Sequence, residues 1–159
     1  MNQANLNLIV DIIVDISNDI YTSIGQGYNE VVYHKAFEVA LRLRNIQYQS
    51  EVITPVMYKG YNVGFGRVDL MINYSGMNFI LELKAVNNFN ADTANTQILN
   101  YLRHYNCNDG MVINFGQKNS SSPEVNFKYF SKNSDNEYDI YNYIDKMFVK
   151  KQNNVIIIN

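Results

Sequence analysis

Asp69, Glu82 and Lys84 are the residues of this sequence best suited to chemistry. Val68 to Tyr74 and Met77 to Val86 read as strands flanking Ser75-Gly76, a hairpin turn. Strands of this apolar kind seldom carry charges without a reason. A side-chain period of two puts Arg67 and Asp69 on one face, and Glu82 and Lys84 on one face, with Leu81 and Leu83 turned into the core. If Ser75 and Gly76 form the loop, Tyr74 faces Met77, Asp69 lies opposite Glu82, and Arg67 lies opposite Lys84. Opposed residues share a face with their Cβ atoms about 5 Å apart.

Two carboxylates so placed repel each other and raise each other's pKa, and a divalent cation relieves that repulsion. A hard cation, Mg²⁺ or Mn²⁺, suits a site of two carboxylates, one backbone carbonyl (that of Leu83) and waters. Such an ion lowers the pKa of bound water and neutralises charge building on a phosphate. Lys84 can position the attacking water or stabilise the phosphorane-like state. The pattern alone supports equally a pair of cross-strand salt bridges on a solvated face, Arg67 with Glu82 and Asp69 with Lys84.

These residues need a scaffold, and the flanking patterns supply one. Leu6 to Ile24 predicts an amphipathic helix with Leu6, Ile9, Ile13, Ile16, Ile20 and Ile24 at three- and four-residue steps. Gly25-Gln26-Gly27 stops it; it is not a dinucleotide fingerprint, since no strand precedes it and Glu30 stands at the third glycine position. A second helix is predicted from Asn29 to Arg44, with Val32, Ala36, Val39, Ala40 and Leu43 buried. Val52 to Tyr58 and Tyr61 to Phe65 form a hairpin about Lys59-Gly60. A third helix follows from Ala91 to Tyr105, with Ala94, Ile98, Leu102 and Tyr105 on one side. Met111 to Phe115 and Val125 to Phe130 read as strands around a polar loop, Gly116 to Glu124. Tyr138 to Val149 is predicted as a last helix, and the tail from Lys151 as frayed or as an edge strand over Val155 to Ile158. The order describes an α/β domain around a mixed sheet, with all 159 residues in one domain.

The composition, 47% hydrophobic and 18% charged, is that of a soluble globular protein. No apolar run approaches the roughly 20 residues of a membrane span, and the N-terminus lacks the order of a signal peptide. A single cysteine, Cys107, excludes an intrachain disulfide and a cysteine-built zinc site, and points to a reducing intracellular compartment, cytoplasm or nucleus. Cys107 has no evident base partner and reads as inert. A net charge of −2 argues against coating nucleic acid through a broad basic surface, but not against reaching phosphate through a metal. About one residue in six is asparagine, which suggests an A+T-rich genome such as a virus's or parasite's. His34 and His104 lack paired metal-ligand spacing and read as surface residues. With Tyr101, His104 is also a candidate for lining a substrate groove. The thirteen tyrosines are mainly packing residues, with stacking on unpaired bases as their alternative use.

Asp69 followed by Glu82-Leu83-Lys84 resembles the D…ExK core of the PD-(D/E)xK nucleases. Gly27-Tyr28-Asn29-Glu30-Val31-Val32-Tyr33 resembles the G-x-x-E-x-x-Y pattern of the GxxExxY family within them. Tyr58-Lys59-Gly60, Arg67-Val68-Asp69-Leu70, Gln97 to Leu102 and Gly110 to Gly116 are further matches in the family's order, covering about Gly25 to Gly116. The resemblance implies an αβββαβ core, with Asp69 and Glu82 as metal ligands and Lys84 in catalysis. It also implies that Glu30 reaches the metal directly or through water, and that Gln97 sits beside Lys84 and orients it or a phosphate. By position alone, Glu30 would favour the helix dipole and Gln97 would be an exposed polar residue. The implied activity is Mg²⁺-dependent phosphodiester hydrolysis, on DNA before RNA, with Arg67 as a phosphate contact. The alternative is a non-catalytic interaction module of the same fold, within a nucleic-acid-processing complex. Homodimerisation through an edge strand is a further expectation.

Overall fold

The structure is a computed structural model that describes residues 3–89, 92–117 and 124–151, residues 92 and 93 by their backbone alone. The isoleucine repeat forms α1 (Gln3–Ile24), which buries Ile9, Ile13, Ile16 and Ile20. After Gly25 and Gly27, both at positive φ, comes α2 (Glu30–Leu43). Its buried face is Tyr33, Phe37, Ala40 and Leu41. The predicted stripe is therefore corrected: Val32 and Val39 are exposed and Leu43 is 79% exposed. The two aromatic rings bury more apolar area than the valines and decide which way the helix turns.

Seven strands follow in one mixed sheet whose spatial order is the chain order. They are β1 (Gln47–Tyr58), β2 (Tyr61–Tyr74), β3 (Met77–Lys84), β4 (Asp109–Asn114), β5 (Asn126–Lys132), β6 (Tyr138–Ile144) and β7 (Met147–Lys150). Five neighbouring pairs are antiparallel and β3–β4 is parallel. A parallel pair needs a crossover, and α3 (Asp92–His104) supplies it. The run from α2 to β4 is the expected αβββαβ core. Both predicted hairpin turns form, with Lys59-Gly60 and Ser75-Gly76 each at positive φ, the type I′ geometry that matches strand twist.

The predicted helix over Tyr138 to Val149 is instead the β6–β7 hairpin. Its Tyr, Ile, Phe and Val content favours strands, and Asp145 and Lys146 make a third turn with both residues at positive φ. That turn lacks the glycine or asparagine that usually announces it. The tail's predicted edge strand lies outside the described residues, as does most of the 116–124 loop.

The sheet is covered on both faces. Leu70, Ile72, Phe79, Leu81, Leu83, Met111 and Ile113 pack with α1 and α2. Val68, Met71, Ile80, Val112 and Phe130 pack with Ile98, Tyr101 and Leu102 of α3. The crossover sits close to the sheet because residue 110 is glycine: a Cβ there would lie 2.9 Å from the Ile80 carbonyl oxygen and 3.0 Å from Leu102. We predict that Gly110→Ala destabilises the fold by about 1–3 kcal/mol in urea unfolding, the usual cost of overpacking. Gly64→Ala, whose Cβ meets nothing within 4 Å, should change stability by less than about 1 kcal/mol.

Candidate active site

The β2–β3 ladder runs from Tyr74–Met77 to Leu70–Leu81, in the predicted register, and ends there. At the next pair, side chains replace the backbone bonds. The Leu83 N–H donates to Asp69 Oδ2 at 2.7 Å, and the Asp69 N–H donates to Glu82 Oε1 at 3.2 Å. Each carboxylate thus satisfies an amide of the strands that part around it. On the other side of β2, Glu51 of β1 lies at φ 53°, between the Ser50–Leu70 and Val52–Val68 pairs. A left-handed non-glycine residue inside a strand is strained by about 1–3 kcal/mol, and such strain collects at functional sites. The pleat also slips here: Leu70 and Ile72 face α1 and α2, whereas Val68, of the same parity, faces α3.

Lys84, the last residue of β3, directs Nζ to Gln97 Oε1 of α3 at 3.2 Å. The Gln97 amide donates to the Tyr101 hydroxyl at 3.2 Å, which also accepts the Arg67 N–H at 3.0 Å. This chain ties β3, α3 and β2 together just past the carboxylates. The extrapolated pairing of Arg67 with Lys84 is not made, because the ladder has already ended. The Arg67 guanidinium is 3.7 Å from Glu51 and largely exposed. Neither cross-strand salt bridge forms: among the described residues, Asp69 and Glu82 have no ion-pair partner within 4.0 Å.

Glu82 is 2% exposed, and burial first, then the charge of Asp69, pushes its carboxyl well above the ordinary range. Burial also raises Asp69, against the opposing pull of the Leu83 N–H, His34 and Lys84. A buried carboxylate and a half-buried one in direct contact cannot both carry charge cheaply. Their donor set fits a hard divalent cation that takes oxygen ligands and keeps several waters.

Glu30 is exposed in the first turn of α2. Among the described residues no group of three or more His, Cys, Asp or Glu converges on one point, so Glu30 does not join Asp69 and Glu82 in one cluster. Tyr33, three residues on, is fully buried, stacks on Phe115 at 4.3 Å and donates to the Gly25 carbonyl at 2.8 Å. It anchors the loop from which Glu30 starts.

His34 is not the surface residue expected. It is nearly buried, 2.7 Å from the Ser50 hydroxyl and 3.7 Å from Glu38, on the Asp69 side of α2. The four-residue step from His34 to Glu38 was its signal. Asn114 also carries more than its sequence suggested. Its side chain accepts the Val86 and Gly116 N–H groups and donates to the Val86 carbonyl, fixing the chain just after Lys84. Lys128 pins the same segment through the Phe89 carbonyl. Cys107 is buried, and burial raises its thiol pKa. His104 is exposed near the end of α3 and shares a cleft with Tyr101.

A pH dependence follows. The pair binds protons more tightly folded than unfolded, so its contribution to stability is complete below the ordinary carboxylate range and is lost as pH rises above it. Without metal, the protein should melt lower at about pH 8 than at about pH 5. Glu82→Gln should remove much of that slope and gain about 0.5–2 kcal/mol at the higher pH. Mn²⁺ should bind the wild type more tightly as pH rises and release protons on binding, measurable by calorimetry in two buffers. A slope unchanged by Glu82→Gln would contradict this assignment.

The family model for the PD-(D/E)XK nuclease superfamily matches residues 7–126, from α1 to the start of β5. One similar solved structure is the crystal structure of SSO0001; it is 16% identical, with a TM-score of 0.48 over 64% of this chain and 50% of that one. The chain thus spans half the length of that structure. Among curated proteins none matches. A sequence match across Asp69, Glu82 and Lys84, and across three quarters of the chain, decides the question: the chain belongs to the PD-(D/E)XK nuclease superfamily.

Proposed function

We propose that the protein is a metal-dependent nuclease of the GxxExxY type that hydrolyses phosphodiester bonds, DNA in preference to RNA. The observation that carries this reading is the pair of carboxylates, half-buried Asp69 and buried Glu82, where the strands part, with Lys84 held beside it by Gln97. Without a cation the pair escapes repulsion only by holding a proton, a cost that a purely structural role gives no reason to keep. Asp69 and Glu82 would hold Mg²⁺ or Mn²⁺, with the Leu83 carbonyl as a further donor and Glu30 acting through water. Bound there, the cation supplies charge neutralisation and an acidified water.

The chain's own groups do the rest. One of the three Lys84 Nζ hydrogens goes to Gln97, leaving two for a water or a phosphate oxygen. Gln97 and Tyr101 fix where that ammonium points, which is the positioning a phosphoryl-transfer site needs. Arg67, exposed on β2, is the phosphate contact on the approach side.

Lys84→Ala should lower metal-dependent cutting of supercoiled plasmid by at least about a hundredfold while leaving Mn²⁺ binding in place. Gln97→Ala, a positioning change, should cost about 10–100-fold, with labelled RNA run beside DNA to rank the substrates. Wild-type rates in Lys84→Ala, or cutting that survives EDTA, would refute the mechanism.

A second reading has its own observation. The β1–β2 hairpin exposes Ile53, Met57, Tyr58, Tyr61, Val63 and Phe65, five of them more than 60% exposed, and β1 is an edge strand. Apolar surface of this extent supports protein contact, here a homodimer through that hairpin, with or without catalysis. Light scattering should find a dimer that Phe65→Asp reduces to monomer. A monomer at all concentrations would discard this reading.

A further inference from the structure

Among the described residues, every other non-glycine residue at positive φ sits in a turn or bend, whereas Glu51, at φ 53°, lies inside β1. Its side chain does not offset the strain of that conformation. The side chain is 59% exposed and its ion pair with Arg67 spans 3.7 Å, a contact worth little in water.

The facing of the neighbouring residues shows what the left-handed backbone does. Before Glu51, even-numbered residues of β1 face the α1–α2 side: Tyr48 packs against that core, and Ser50 meets His34 of α2. After it they face α3: Val52 packs against the other core, and the Thr54 hydroxyl lies 2.8 Å from that of Tyr105. β2 reverses at Asp69, the residue directly across. Leu70 and Ile72 face α1 and α2, whereas Val68 faces α3 and Gly66 lies under the Tyr101 ring. Strands alternate their faces while their residues stay extended, so a reversal needs a residue that leaves the extended region, and in β1 that residue is Glu51. The pairs on either side, Ser50–Leu70 and Val52–Val68, keep their register. The two strands therefore turn over together and remain one hairpin.

β3 does not turn over. Ile80 faces α3, Leu81 and Leu83 face α1 and α2, and Lys84 again meets α3. The ladder between β2 and β3 ends at this mismatch. Asp69, at the point of reversal, sends its carboxylate sideways to the Leu83 N–H. With an extended residue at position 51, the pairing with β1 would hold β2 to regular alternation, and Asp69 would project towards α3 instead.

We propose that Glu51 is a positioning residue for the metal site, whose left-handed backbone turns β1 over in step with β2 and so aims Asp69 across the gap at β3 and the cation. The role belongs to the backbone at position 51 and not to the Glu51 carboxylate. This inference rests on the metal-dependent reading above.

Three substitutions separate the two. Glu51→Gly adopts the left-handed region freely and Glu51→Gln removes only the charge, so both should bind Mn²⁺ within about threefold of the wild type in calorimetry. Glu51→Val resists that region and favours a regular strand, so it should fold, as circular dichroism verifies, yet bind Mn²⁺ at least about tenfold more weakly, the usual size of a lost positioning contact. In metal-free protein, the Leu83 amide should lose its protection from hydrogen exchange in Glu51→Val and keep it in the other two. A folded Glu51→Val protein with wild-type Mn²⁺ affinity or a protected Leu83 amide overturns the proposal, as does a Glu51→Gln protein as weak as Glu51→Val. A wild type that binds no Mn²⁺ overturns the metal reading instead, and Leu83 exchange then decides by itself whether Glu51 aims Asp69.

Discussion

The exchange between Asp69 and Glu82, each carboxylate accepting a backbone N–H from the strands they part, is the interaction on which this structure turns. It ends one ladder without leaving buried amides unpaired, and so opens the sheet at the cost of two crowded negative charges. The strain in Glu51, the slipped pleat at Val68 and the tether from Lys84 to Gln97 all lie within two residues of that opening or directly across from it. Removing either carboxylate would free an amide as well as a charge, so the pair is held in place by the backbone it serves.

The tether depends on packing remote from the carboxylates. Gln97 and Tyr101 reach the sheet because α3 lies close over it, and α3 lies close because residues 66 and 110 are glycines. The end of β3 is held from the far side by Asn114, on the neighbouring parallel strand. Position and direction of Lys84 are therefore set by three separate elements, β3, α3 and β4.

Much of this was legible in the residues. Ser75-Gly76 is a strong two-residue turn signal, and it fixed the register that brings Asp69 to Glu82. The match of ordered motifs located Gln97 beside Lys84. Extrapolation failed where regular geometry does: the Arg67–Lys84 pair presumed that the ladder continues through the site, and two carboxylates had replaced it. The face of α2 departs from the aliphatic spacing because its two aromatics bury more area, and β6–β7 departs from the helical pattern because Asp145-Lys146 adopts a glycine-like turn without a glycine. The role of Asn114 depends on a partner 28 residues away, which no local pattern records, and that of His34 on Ser50, 16 residues away, as well as on nearby Glu38.

The single parallel pairing in the sheet also orders how the site is assembled. Asp69 and Glu82 are thirteen residues apart across a two-residue turn, a separation that hairpins close in about 1–10 μs. Lys84 and Gln97 are equally near in sequence, yet α3 gains its place only when β4 docks beside β3, a non-local step that pays loop entropy first. The chain therefore brings Asp69, Glu82 and Lys84 together early and aims the Lys84 ammonium late. During synthesis, a growing chain with β3 complete and β4 still unmade carries its acidic pair beside an ammonium that nothing yet aims, and a cation bound at that stage would act as a folding ligand.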